Sequence, residues 1–128
     1  MPEGGRARVG DVALPGDDQR HVAIVELARE LAEEGIDVRD PNIGGTVDVG
    51  FATVRLTPAW HTSTTPKGTV STPGGLVIEF GDKRIYHVGD TGLFSDMQFI
   101  AEYYKPDLVL MPIGGWFVMS PKDAAFAL

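Results

Sequence analysis

The stretch from Arg84 to Ile113 constrains the fold of this chain more than any other. "RIYHVGDTGLF" begins as an alternating run, with Ile85 and His87 on one face and Tyr86 and Val88 on the other, which is the period of a β-strand. It halts at Gly89-Asp90-Thr91-Gly92, a turn that carries an acid between glycines. "FSDMQFIAEYY" then reads as a helix. Ser95 and Gln98 are spaced as a capping box, Phe94 and Phe99 as a hydrophobic staple, and Pro106 as the stop. Met97, Ile100, Ala101 and Tyr104 form its inward stripe. "DLVLMPI" (107–113) follows as a continuous apolar strand, expected to be buried on both faces.

The rest of the chain supplies strands and helices of the same kind. Residues 1–20 mix Gly, Pro and charge without a period and are expected to be poorly structured; the interpretable domain is 21–128. "HVAIV" (21–25) is a short strand or a helix start. From Ile24 the apolar residues recur at Leu27, Ala28, Leu31 and Ala32, one face of a helix that Gly35 can cap in the left-handed region. "TVDV" and "FATVRLTPA" alternate around Gly50 as one hairpin, and "LVIEF" and "KRIYHV" around Gly81-Asp82 as a second. Between them lies a long polar loop, "HTSTTPKGTVSTPGG" (61–75). Loops of that length are usually functional or disordered. At the end, Ser120, Pro121 and Asp123 open one more helix, which reaches Leu128 after barely two turns and without a C-cap. The chain is therefore expected to be a cut piece of a larger domain.

Composition narrows the chemistry. With no cysteine, a metal must be held by His, Asp, Glu or backbone. A net charge of −7 disfavours a nucleic-acid partner, and no apolar run is long enough to span a membrane or to serve as a signal peptide. A cytoplasmic location is the default expectation. There is no GxGxxG, GxxxxGK[ST] or GxSxG pattern.

Three histidines leave a short inventory. His61 stands where the strand "RLTPA" gives way to the long loop, and Asp90 stands where "RIYHV" gives way to its turn. An imidazole and a carboxylate delivered by two strand ends can ligate a metal. Gly89 and Gly92 would let the backbone approach an ion or substrate, and Thr91 is a candidate donor orienting the Asp90 carboxylate. Plainer readings stand beside these. Asp90 has the composition of an ordinary turn, and His61 next to Trp60 that of a surface loop edge. His87 is expected to be a packed core side chain bonded to backbone, and His21 has no assigned role.

"TPAWHTS", "GLVIEF", "RIYHVGDTGLFSDM" and "YYKPDLVLMPIGGWFVMSPKDAA" together resemble the metallo-β-lactamase-fold superfamily. Within it they are similar to the bacterial and archaeal metal-dependent hydrolases related to ascorbate-6-phosphate lactonase. The resemblance covers residues 22–128 and implies an α/β fold, part of an αββα sandwich truncated at both ends. It implies that His61 completes the first metal site and that Asp90 bridges two ions. Such enzymes use a metal-activated hydroxide to attack an ester, lactone or phosphoester of a small-molecule substrate.

Departures from the family pattern qualify the activity. The His-x-His-x-Asp-His cluster belongs upstream of residue 20, where "RARVGDVALPGDDQR" has no histidine, and a last histidine belongs beyond Leu128. His61 and Asp90 alone fall short of the three or four ligands that a zinc site takes. The expectation is weak binding of a divalent metal (zinc, or else manganese, iron or nickel) and negligible hydrolysis by the isolated chain. The alternative is a truncated or degenerate binding or scaffold module. Either way, missing strands would expose sheet edges and promote self-association.

Overall fold

The computed structural model describes residues 21–128. Its centre is a five-stranded sheet in which neighbours in space are neighbours in sequence: β3 (Thr46–Asp48), β4 (Thr53–Pro58), β5 (Gly74–Phe80), β6 (Lys83–His87) and β7 (Leu108–Leu110). The first four strands are antiparallel, with β3–β4 and β5–β6 as hairpins. Their turns fall at the glycines read from the sequence. Gly50 and Gly81 adopt positive φ, 94° and 58°, and the Asp48 carboxylate accepts the Gly50 N–H at 2.7 Å. β6 and β7 are parallel and so need a crossover, which α2 (Asp96–Tyr104) provides. Ahead of the sheet, β1 (His21–Val22) and β2 (Val38–Arg39) form a short parallel pair around α1 (Val25–Glu33), and Gly35 follows that helix at φ 81°. "HVAIV" is thus both a strand and a helix start. The expectation for residues 1–20 lies outside the described residues.

The sheet divides the apolar side chains by the two-residue period. On one face Val77, Tyr86 and Val88 meet Phe94, Met97 and Ile100 from the crossover, and Met119 from the segment before α3 (Pro121–Ala127). Val77 and Val88 are fully buried, and burial of a valine side chain is worth roughly 1.5–3 kcal/mol. The other face begins with Val49, Ala52 and Val54, packed by Val22, Val47, Leu76 and Ile78. Register continues that face across Ile85 and His87 to Leu108 and Leu110.

Here several expectations are corrected. β7 is short and lies at the sheet edge, with Leu108 51% and Leu110 44% exposed, so the strand is not buried on both faces. His87, on the same face, is exposed rather than packed in the core. The crossover helix also starts differently. Ser95 already has helical φ and ψ and its side chain makes no cap bond, whereas a capping serine needs extended backbone. Phe94 is drawn into the core and Phe99 is 69% exposed, so no staple forms; of the inward stripe, Met97 and Ile100 are buried and Ala101 is not. Ser120 satisfies the rule that Ser95 breaks. With extended backbone, it accepts the Asp123 N–H at 3.2 Å, and the Asp123 carboxylate accepts the Ser120 N–H at 3.1 Å.

Candidate metal centre at the strand ends

Topology gathers the candidate residues at one end of the sheet. β4 and β6 both run antiparallel to β5 between them, so their C-terminal ends open on the same side. β7, parallel to β6, delivers the loop before α3 to that side as well. His61 follows β4 and Asp90 follows β6.

A ladder of hydrogen bonds ties the two exits together. The Trp60 N–H donates to the Thr91 hydroxyl at 2.9 Å, and the Gly92 N–H donates to the Trp60 carbonyl at 3.0 Å. The Thr91 carbonyl accepts the Met119 N–H at 2.9 Å, which brings in the loop before α3. Each candidate ligand is one residue from this ladder. His61 is half-buried, Asp90 is exposed and Thr91 is completely buried. The single proton of the Thr91 hydroxyl goes to the Gly92 carbonyl at 2.8 Å. Thr91 therefore binds backbone on both sides instead of donating to the Asp90 carboxylate, a role that sequence reasoning missed and that only the β-branched hydroxyl in the turn hinted at.

Hydrogen bonding also separates the two histidines nearest the site. His61 Nδ1 lies 2.6 Å from the Thr62 carbonyl, which can only accept, so Nδ1 carries the hydrogen and the neutral ring offers the Nε2 lone pair. His87 is the reverse. Its Nδ1 accepts the Gly89 N–H at 3.1 Å, which puts the ring hydrogen of the neutral form on Nε2 and leaves no free lone pair.

The glycines have a different purpose from the one the turn suggests. A Cβ on Gly89, which has φ 74°, would lie 2.5 Å from the Gly74 carbonyl oxygen. A Cβ on Gly75 would lie 2.6–2.9 Å from Thr57 Oγ1 and the carbonyls of His87 and Val88. Gly89 thus lets the end of β6 close on the start of β5. Of the two glycines that flank Asp90 and Thr91, Gly92 is the one beside open space, its nearest neighbour the Trp60 carbonyl at 3.9 Å.

The long loop after His61 is tethered to α1. The Thr65 hydroxyl donates to one Glu30 oxygen, the Lys67 N–H to the other at 3.3 Å, and Lys67 Nζ pairs with Glu33 at 2.5 Å. Burial opposes ionisation of Glu30 most strongly, yet hydrogen bonds from Thr65, Lys67 and Thr69 and the Lys67 charge outweigh it and hold its carboxyl below the usual range. The Glu33 hydrogen bond raises the Lys67 ammonium above its ordinary value. Lys67 is thereby engaged by helix carboxylates.

Comparison with known proteins places the fold. The family model described as a beta-lactamase superfamily domain matches residues 9–128. The chain belongs to that superfamily. A metal-dependent hydrolase of Methanoregula boonei is 46% identical over 110 residues, covering 83% of this chain and 50% of that protein. Another metal-dependent hydrolase, of Korarchaeum cryptofilum, is 47% identical over 107 residues, covering 84% of this chain and 46% of that protein. Among solved structures, Igni18, a metallo hydrolase from Ignicoccus hospitalis, superposes with a TM-score of 0.71 at 37% identity, covering 83% of this chain and 46% of that one. An isothiocyanate hydrolase from Delia radicum gut bacteria shares the fold, with a TM-score of 0.57 at 19% identity. The chain spans about half the length of the curated relatives it matches. The α/β metallo-β-lactamase-type architecture expected from the resemblance is the one observed.

Among the described residues, no group of three or more His, Cys, Asp or Glu side chains can hold a metal ion. The imidazole of His61 and the carboxylate of Asp90 have the chemistry of two ligands, which is fewer than a catalytic zinc takes from protein.

Proposed function

We propose that this chain forms the part of a metal-dependent hydrolase that contributes His61 and Asp90 to the metal centre. The observation that carries the proposal is the ladder joining Trp60 to Thr91 and Gly92, with the His61 ring held in the tautomer that offers Nε2. A divalent metal, zinc in our reading and otherwise manganese, iron or nickel, would supply Lewis acidity and an activated water when bound. The chain's own contribution is placement. Thr62 fixes the imidazole, and the Thr91 backbone and hydroxyl fix the strand ends beside it. Asp90 stays exposed where a cation can reach it. The substrate class is a small ester, lactone or phosphoester. A cytoplasmic setting belongs to the same proposal, as does the absence of a nucleic-acid partner, which the net charge of −7 supports.

With two ligands from the described residues, the isolated chain is expected to bind zinc weakly and to turn over none of these substrates measurably. Calorimetric titration with zinc tests this, and one equivalent bound more tightly than micromolar contradicts it. The second reading is a non-catalytic module of the same fold, favoured by the lack of a three-donor group among the described residues. A version of the chain extended to the length of its relatives separates the two. Metal-dependent cleavage of nitrophenyl esters, phosphoesters or lactones supports the hydrolase, and inertness with stoichiometric metal bound supports the module.

A further inference from the structure

Thr91 is the one fully buried polar residue in the described chain that touches both strand exits. Its volume does not require a hydroxyl, since valine has the same shape. The hydroxyl instead accepts the Trp60 N–H and donates to the Gly92 carbonyl, two backbone groups that no side-chain change can remove. Its carbonyl accepts from Met119, itself almost wholly buried, so Thr91 is held from a third direction and has little room to shift. A stiff β-branched side chain anchored this way transmits the position of one exit to the other. His61 is the next residue along one exit and Asp90 the preceding residue in the other.

We propose that Thr91 is a positioning residue whose buried hydroxyl fixes the spacing at which His61 and Asp90 can share one cation. The inference rests on the metal-centre reading of those two residues. It assigns Thr91 a task distinct from ligation and from the orientation of the Asp90 carboxylate. Thr91→Val keeps the shape but leaves the Trp60 N–H unpaired, so that only the bond from the Gly92 N–H to the Trp60 carbonyl still ties the His61 exit. Thr91→Ser keeps the hydroxyl.

The test compares wild-type chain, Thr91→Val and Thr91→Ser by nuclear magnetic resonance in two measurements. In amide hydrogen exchange, Thr91→Val is expected to speed the Trp60 amide about tenfold while the β5 and β6 core amides stay unchanged, and Thr91→Ser to stay within about twofold of wild type. In a manganese titration to millimolar levels, His61 and Asp90 signals of the wild type are expected to broaden in parallel. In Thr91→Val the midpoint for His61 is expected to rise about tenfold, with Thr91→Ser restoring it. If Thr91→Val does not fold, Thr91→Ala against Thr91→Ser makes the same comparison. Equal exchange and equal broadening in Val and wild-type chains overturn the proposal. Wild-type chain that shows no broadening at either residue overturns the metal-centre reading instead, and the exchange result still decides whether Thr91 clamps the exits.

Discussion

Gly89 passes so close to Gly74 that a methyl group on it would stand 2.5 Å from the Gly74 carbonyl oxygen. The obstacle is backbone, which cannot rotate away, and φ at Gly89 is 74°, where side chains are strained. Gly89→Ala is therefore expected to destabilise the chain by about 2 kcal/mol or more. Gly92→Ala, which meets nothing nearer than 3.9 Å, is expected to cost much less. Urea unfolding of the two variants side by side measures the contrast. Equal losses would mean that the close approach of β5 and β6 does not hold the Asp90 turn in place.

The tether between the long loop and α1 gives a pH dependence with a definite sign. Glu30 is lowered from an ordinary value of 4.5, so its contribution is present above that value and is lost as pH falls through the folded value. Lys67 is raised from 10.5, so its contribution is present below that value and is lost as pH rises through the folded one. Proteolysis of residues 61–73 is expected to be slow across neutral pH and to accelerate below about pH 4.5. Glu30→Gln is expected to weaken the acid step. An acid step of the same size in that variant would assign the tether to other groups.

Leu108, Leu110 and His87 are exposed together at one end of a sheet face, and β7 is an edge strand. Such an edge pairs readily with another chain. Light scattering over rising concentration is expected to show a dimer or larger species. Leu110→Lys is expected to shift the distribution toward monomer. A wild-type chain that stays monomeric throughout contradicts this account of the exposed edge.

What the sequence revealed depended on how local each device is. Hairpins at Gly50 and Gly81 were legible because a positive-φ glycine between alternating runs specifies a turn with little outside help. The Ser120 cap was legible because Pro121 and Asp123 reinforce it within three residues. The Ser95 pattern looked as good and failed, because burial of Phe94 in the core sets the backbone there and overrides the cap. β7 looked fully buried because its apolar run records what can cover it, not what does. At the site, the positions of His61 and Asp90 at strand ends were readable. The Thr91 ladder spans thirty-one residues of sequence and the Glu30–Thr65 contact thirty-five, so no local pattern encodes either. The tautomers of His61 and His87, which decide which ring offers Nε2, depend on single carbonyl and amide contacts for the same reason.

Anomalous diffraction from crystals of the chain soaked in millimolar zinc tests the central claim most directly. The account predicts one peak about 2 Å from His61 Nε2 and about 2 Å from an Asp90 carboxylate oxygen, with water completing the coordination. Zinc bound to only one of the two, or only elsewhere on the molecule, would contradict it.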